Sequence, residues 1–103
     1  MNPITLILYS RKGCCLCEGL DNRLKFIDWA QFNPPLRYTV IDIDHSSIPK
    51  SEKKLYSLEV PVMLLKIAEN NKIYRLPRVS PRMDSQALAK WLQSSLVQIL
   101  QSL

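Results

Sequence analysis

Three cysteines lie within four positions, shortly after the apolar run of residues 4–9. Cys14 and Cys17 form a Cys-x-x-Cys pair at the point where a strand is expected to pass into a helix. A thiol in the first turn of a helix lies beside unpaired backbone N–H groups and the positive end of the helix dipole, and both favour the thiolate. Because the thiolate is the form that attacks disulfides, the spacing predicts a thiol redox site with Cys14 as its nucleophile.

Cys17 and the two basic residues before the pair complete this candidate site. Cys17 follows Cys14 by almost one helical turn, so both thiols are expected on one face, where Cys17 can resolve a mixed disulfide formed by Cys14. Arg11 and Lys12 are expected to lower the pKa of the Cys14 thiol below the ~8.5 of an ordinary cysteine. Cys15 is expected to be a spectator, with a Cys15–Cys17 pair as the alternative.

Length and hydropathy predict the number of domains and whether the chain can cross a membrane. The 103 residues, of which 47% are hydrophobic, are enough for one core, so residues 1–103 are predicted to form a single domain and a monomer. We expect no signal peptide, because the apolar run after residues 1–3 is short and ends without a cleavage pattern. Since no apolar stretch reaches the ~20 residues of a bilayer-spanning helix, no membrane association is expected.

The cysteine and charge patterns indicate location and partners. Clustered cysteines cannot join distant segments, as those of secreted disulfide-rich domains do, so a reducing cytoplasm is the expected location. The net charge is +5, but the basic residues are scattered without an aromatic stacking set. We therefore expect no nucleic-acid partner, although the charge can steer acidic partners. One cysteine cluster and the distant His45 do not make a four-ligand zinc site, so no metal and no bound cofactor are expected.

The first half of the chain is predicted to form a strand, a helix and a second strand. Residues 4–9 are almost continuously apolar, as in a central strand covered on both faces. The helix is predicted to begin at Cys14 and to end at residues 33–35, which include two prolines. Residues 37–43, rich in β-branched side chains, are predicted to form the next strand, parallel to the first. The apolar face of the helix is predicted from Leu16, Leu20, Leu24 and Ile27.

The second half is predicted to contain a short helix, a hairpin and a long C-terminal helix. The short helix is predicted within residues 46–58, with a proline near its start. Residues 60–65 and 73–76 are predicted to be antiparallel strands joined by a polar turn. The last helix is predicted to begin near Ser80 or Asp84. Its apolar face is predicted from Leu88, Trp91, Leu92, Leu96, Ile99, Leu100 and Leu103.

The predicted order β-α-β-α-β-β-α, with a Cys-x-x-Cys pair after the first strand, resembles the thioredoxin fold and glutaredoxins in particular. Two motifs carry the resemblance, residues 9–18 around the cysteines and Glu59-Val60-Pro61 before the third strand. The first motif is similar to that of a bacterial branch of small glutaredoxin-like proteins. The resemblance implies an α/β protein with a four-stranded mixed sheet flanked by helices. It also implies a cis Val60–Pro61 bond and a substrate segment that pairs with the Val60 backbone.

Together with the cysteine spacing, the resemblance implies a thiol–disulfide oxidoreductase that uses Cys14 and Cys17 to reduce disulfides of proteins or small molecules. It implies glutathione or a thioredoxin-type reductase as the electron donor. Two features depart from familiar glutaredoxins: no proline lies within or beside the Cys15-Leu16 dipeptide, and the Gly-Gly-Asp sequence that holds glutathione before the last helix is missing. The alternative function is a non-enzymatic redox-sensing adaptor, or a metal or iron–sulfur carrier that uses the same cysteines.

Overall fold

The computed structural model describes residues 4–102 and contains a mixed four-stranded sheet flanked by three α-helices. This order confirms the predicted α/β, thioredoxin-like fold. Leu103 and residues 1–3 lie outside the described residues, and the assignment of residues 1–103 to one domain stays a prediction. In chain order the elements are β1 (Ile4–Ser10), α1 (Cys15–Lys25), β2 (Leu36–Asp42), α2 (Lys50–Tyr56), β3 (Val62–Ile67), β4 (Lys72–Arg75) and α3 (Ser85–Gln101).

β1 lies inside the sheet, whose strand order is β2-β1-β3-β4. It pairs with β2 in parallel and with β3 in antiparallel orientation, and β4 pairs with β3 in antiparallel orientation. A parallel pair needs a crossover connection, which α1 supplies. Both faces of β1 are covered, which explains why residues 4–9 are apolar without the alternation of a half-exposed strand.

The side chains of β1 alternate between the two faces of the sheet and enter two separate apolar clusters. Leu6 and Leu8 belong to the larger cluster, which also contains residues of α1 and α3. Ile7 and Tyr9 belong to the smaller cluster on the opposite face, against which Tyr56 of α2 packs. The contribution of α3 to the larger cluster consists of fully buried leucines, namely Leu88, Leu92 and Leu96.

The buried face of α1 differs from the predicted face at its first turn. The helix begins at Cys15, and its buried residues are Cys17, Leu20 and Leu24. Leu16, predicted on the buried face, is 54% exposed. Positions 17, 20 and 24 have the three-and-four spacing of one helical stripe, so burial of Cys17 turns Leu16 towards solvent.

The prediction that α1 continues to the two prolines is wrong, because the helix ends at Lys25. The Phe26 N–H donates to the carbonyl oxygens of Arg23 and Leu24, three and two residues earlier, and this tightens the last turn of the helix. Asp28 then caps a separate short 3₁₀ helix, Trp29–Gln31, by accepting the Ala30 N–H at 3.1 Å. An aspartate that bonds nearby backbone N–H groups competes with continuation of the helix. The spacing of apolar residues does not reveal this competition, so the predicted helix extended beyond the true end.

Other boundaries differ by a few residues. α2 is shorter than predicted, because it begins only after Pro49. β3 begins at Val62, two residues after the predicted start, and β2 begins one residue before its predicted start. α3 begins after Asp84 and not near Ser80, since the Asp84 carboxylate accepts the Ala87 N–H at 2.8 Å and thereby caps the helix.

Truncation of a core leucine should distinguish this packing from a looser arrangement of the same elements. Leu92→Ala should lower the free energy of unfolding by about 2–5 kcal/mol, because it leaves a cavity in the larger cluster. Leu58→Ala is the matched control, since Leu58 is 95% exposed and its loss should change that free energy by less than about 0.5 kcal/mol. Urea unfolding followed by circular dichroism measures both, and equal losses in the two variants would contradict the placement of α3.

Candidate active site

The loop between β1 and α1 is a tight turn that places Cys14 at the helix N-terminus. The Cys14 N–H donates to the Arg11 carbonyl at 3.2 Å. Gly13 has a φ of +80°, a left-handed conformation that other residues rarely adopt and that this turn requires. Cys14 is extended and is the N-cap of α1, where its Sγ accepts the Cys17 N–H at 3.2 Å. The turn therefore brings a sulfur atom to the unpaired N–H groups of the first helical turn.

Cys14 and Cys17 lie at disulfide distance, with their Cα atoms 5.2 Å apart, which is within the usual range for bridged cysteines. Their exposure differs, because Cys14 is half-buried whereas Cys17 is 0% exposed. Cys15 is exposed and free. The structure thus joins Cys14 to Cys17 and leaves Cys15 outside the pair, and a reagent from solvent reaches Cys14 before Cys17.

Arg11 joins the cysteine loop to two other loops through its guanidinium group. Its Nε and Nη2 donate to the two carboxylate oxygens of Asp44, at 2.7 and 3.0 Å. Its Nη1 and Nη2 donate to the carbonyl and hydroxyl oxygens of Ser57, at 2.8 and 2.6 Å. The hydrogen bonds between Arg11 and Asp44 raise the pKa of the arginine and lower the pKa of the aspartate. Lys12, the second basic residue before the pair, is exposed to solvent.

Asp44 and Ser57 are functional-site neighbours that sequence spacing does not reveal. They lie 33 and 46 residues after Arg11, in the loops that follow β2 and α2. The Asp44 carboxylate balances much of the positive charge that was expected to act on the Cys14 thiol. The same contacts hold the segment after α2, which leads into the second sequence motif, next to the cysteine loop.

Val60 and Pro61 lie at the same end of the sheet as the cysteine loop. In the antiparallel register Tyr9, near the end of β1, is paired with Val62, the first residue of β3. The Val60–Pro61 bond is cis, and both residues are half-buried. Pro61 and Leu16 line the same groove, so the structure brings the two sequence motifs together.

This groove has a volume of about 520 Å³ and is bounded by α1, the start of β3 and the segment after β4. Most of its wall is apolar, and Arg23, Arg75 and Arg78 also line it. In the sequence these arginines are scattered, since up to 55 residues separate them, and only the fold makes them converge. The apolar part of the wall includes Leu16, Leu20, Pro61, Leu76, Val79 and Pro81.

A pair of stacked tyrosines supports the end of β1 on the other face of the sheet. The ring centroids of Tyr9 and Tyr56 are 5.1 Å apart. Burial, together with the nearby Glu52 carboxylate, raises the pKa of Tyr9 to about 12, so this phenol stays neutral at physiological pH. The guanidinium of Arg75 lies 5.6 Å from the Tyr56 ring centroid, which connects this pair to the groove.

Three further features complete the description of residues 4–102. In this part of the chain, no group of three or more His, Cys, Asp and Glu side chains is arranged to hold a metal ion. His45 is exposed, and its Nδ1 lies 2.7 Å from the Ser47 hydroxyl. None of the helices in the described range has both the length and the apolar character needed to cross a membrane.

Comparison with known proteins gives one match. The family model described as Glutaredoxin-like domain (DUF836) matches residues 5–93. The matched range contains Cys14, Cys17, Val60, Pro61 and all three arginines of the groove. No curated protein and no solved structure matches the chain.

The Arg11–Asp44 contact should make stability depend on pH in a defined direction. Because the pKa of Asp44 is lowered in the folded state, its contribution is present above the unfolded pKa of ~3.9 and is lost as the pH falls through the folded pKa. A double-mutant cycle of Arg11→Gln and Asp44→Asn should therefore give a favourable coupling at pH 7 that disappears at strongly acidic pH. Urea unfolding at both pH values measures it, and a coupling independent of pH would contradict the ion pair.

Alkylation should reveal the order of accessibility of the three thiols. In the oxidised protein, iodoacetamide should label Cys15 alone, because Cys14 and Cys17 are joined. In the reduced protein, a short pulse at mildly acidic pH should label Cys14 first, since its sulfur is accessible and lies at the helix N-terminus. Peptide mass spectrometry assigns the sites, with Cys15→Ser as the control that should leave the oxidised protein unlabelled. Preferential labelling of Cys15 or Cys17 in the reduced protein would contradict this assignment.

Proposed function

The chain belongs to the glutaredoxin-like domain family, and we propose that it is a dithiol–disulfide oxidoreductase whose redox pair is Cys14 and Cys17. The observation that carries this proposal is the unequal exposure of two cysteines whose sulfur atoms lie at disulfide distance. An accessible thiol at a helix N-terminus can attack a disulfide, and a buried thiol one turn later can resolve the product. Inert structural cysteines would both be buried.

The proposed reaction consists of two exchanges. The Cys14 thiolate attacks one sulfur of a substrate disulfide, forming a mixed disulfide and releasing the other substrate sulfur as a thiolate. The Cys17 thiol, after losing its proton, then attacks the Cys14 Sγ, which forms the Cys14–Cys17 disulfide and releases the second substrate sulfur. Two electrons pass from the dithiol to the substrate, and each released thiolate takes up a proton. The substrate class is a protein or small molecule that carries a disulfide.

The backbone of α1 is proposed to favour the Cys14 thiolate. The Cys17 N–H already donates to the Cys14 Sγ in the oxidised pair, and it can donate to the thiolate without rearrangement of the helix. Lys12 is proposed to add positive charge from the exposed side of the loop. In this proposal Arg11 mainly holds the loops together and has a smaller effect on the Cys14 thiol, because Asp44 balances its charge.

Val60 and Pro61 are proposed to hold an extended segment of the substrate. A substrate strand can pair with the Val60 backbone, and Pro61 has no N–H that could compete for its carbonyl groups. The position of Pro61 in the wall of the groove beside α1 supports this role. The contacts of Arg11 with Ser57 support it further, since they hold the segment before Val60 close to the cysteine loop.

An external thiol must return the pair to its reduced form after each cycle. Glutathione would do so by attacking the Cys14–Cys17 disulfide and a second glutathione would complete the exchange, whereas a thioredoxin-type reductase would supply both electrons itself. Neither route requires a cofactor bound to this chain. Turnover with one of these donors separates an enzyme from a redox-sensing adaptor or a metal or iron–sulfur carrier that uses the same cysteines.

Single serine substitutions should separate the roles of the three cysteines. Cys17→Ser should accumulate mixed disulfides with an oxidised, unfolded protein substrate, because the resolving sulfur is missing. Cys14→Ser should form no mixed disulfide through the redox pair and should reduce nothing. Non-reducing electrophoresis and mass spectrometry of the trapped species measure both outcomes.

Cys15→Ser is the matched control for this experiment, since it makes the same chemical change at the adjacent exposed position. It should retain most of the rate of disulfide reduction. Loss of all activity in folded Cys15→Ser protein would indicate a Cys15–Cys17 mechanism instead. Failure of the unmodified protein to reduce any disulfide with either electron donor would favour the adaptor or carrier alternative.

A further inference from the structure

The groove beside the redox pair carries a positive charge that its own residues do not balance. Twelve residues line it, of which three are arginines and none is acidic. The rest of the wall is mainly leucine, valine and proline, and it begins at Leu16, one residue before Cys17. A ligand that fits this groove must therefore combine apolar groups with negative charge, and it contacts Leu16, which lies between Cys14 and Cys17 in the chain.

Hydrogen bonds orient all three arginines, and only Arg75 has a carboxylate among its partners. Arg78 donates through Nη2 to the backbone carbonyl of Glu59 at 2.6 Å, and Arg23 donates to the carbonyl oxygens of Gly19, at 3.1 Å, and of Met83. Backbone carbonyl groups are neutral, so both guanidinium charges remain. The third, Arg75, pairs with the Glu59 carboxylate at 3.3 Å, in a contact whose two side chains are about half exposed and which solvent therefore screens.

The arginines near β4 are also held in place before a ligand arrives. The Arg75 guanidinium lies over the Tyr56 ring, and Tyr56 stacks on the buried Tyr9. Arg78 is tied to the backbone directly before Val60. Binding loses less side-chain entropy when the recognition groups are already ordered. The ordered guanidinium groups therefore favour specific binding of a carboxylate over nonspecific attraction of negative charge to the surface.

We propose that the groove binds an acidic segment next to the reactive cysteine of a protein disulfide, and that Arg75 and Arg78 select for its carboxylates. This inference rests on the proposed function, because the location beside Cys14 requires a ligand that brings a disulfide with it. A volume of about 520 Å³ lies within the ~300–1,000 Å³ range of ligand clefts and accommodates a few residues of extended chain. The apolar wall contacts their side-chain carbons, and the guanidinium groups can donate two hydrogen bonds to a carboxylate in bidentate geometry.

Peptide disulfides that differ only in charge test this proposal. Three peptides of equal length, each a disulfide-linked dimer through a single cysteine, carry glutamate, glutamine or lysine at the positions flanking that cysteine. The reduced protein is mixed with each peptide, and its oxidation is followed by acid quenching and mass spectrometry under single-turnover conditions. The glutamate peptide should react about tenfold faster than the glutamine peptide at low ionic strength, and the lysine peptide should react most slowly. High salt should reduce these differences.

Two substitutions at Arg78 and a matched control locate the effect in the groove. Arg78→Gln should bring the glutamate and glutamine rates closer together. Arg78→Glu should reverse the order so that the lysine peptide reacts faster than the glutamate peptide, and a gain in one rate cannot result from misfolding. Arg37→Gln removes the same charge from exposed β2, at the opposite edge of the sheet, and should leave all three rates unchanged.

The outcomes separate failure of this inference from failure of the proposed function. If all three peptides oxidise the Cys14–Cys17 pair at equal rates, or if Arg37→Gln changes the order as much as Arg78→Glu does, charge selection by the groove is wrong while the redox function stands. If oxidised glutathione reacts faster than the glutamate peptide, the groove selects a small-molecule disulfide and the assignment to an acidic protein segment is wrong. If no disulfide oxidises the pair, the proposed function itself is wrong.

Discussion

β1 lies inside the sheet, and the positions of the cysteine loop and of β3 follow from this placement. Its two edges are paired with β2 and β3, and its two faces are covered by separate apolar clusters. The end of the strand is therefore held by the core and not by the loop that follows. The turn at Gly13 converts this strand end into a helix N-terminus, and the register with β3 places Pro61 at the same level. Cys14 thus obtains its position from the strand and its electrostatic environment from the helix.

The site uses backbone and side-chain charges for different purposes. The N–H group that reaches the Cys14 sulfur belongs to α1 itself and is present whenever the helix forms. The guanidinium of Arg11, three residues before Cys14, instead contacts Asp44 and Ser57, and these contacts join three loops around the cysteine pair. A charge that is paired in this way has a smaller effect on a neighbouring thiol but a larger effect on the geometry of the site. The proposed mechanism accordingly relies on the helix for reactivity and on Arg11 for the arrangement of the substrate edge.

In the proposed mechanism, part of the positive charge of the chain, that of the groove arginines, serves to bind the substrate. A net charge of +5 spread over a surface attracts acidic molecules without selecting among them. In the proposed mechanism, the three guanidinium groups that line the groove act on the substrate while it reacts. Their orientation depends on Tyr56, on Glu59 and on backbone carbonyl groups, so the packing of α2 and the segment before β3 contributes to the proposed selection.

The order of the elements and the location of the Cys14–Cys17 pair could be predicted from the amino-acid sequence, because both depend on local spacing. Alternation and three-to-four residue periodicity are properties of neighbouring residues, and a Cys-x-x-Cys pair at a strand–helix junction follows from them. Local spacing did not determine where α1 ends, since the cap at Asp28 competes with a periodic apolar pattern. The partners of Arg11 and the convergence of the groove arginines were decided only by the tertiary structure. Their contacts join segments tens of residues apart, and the free energy that favours them comes from packing of the whole core.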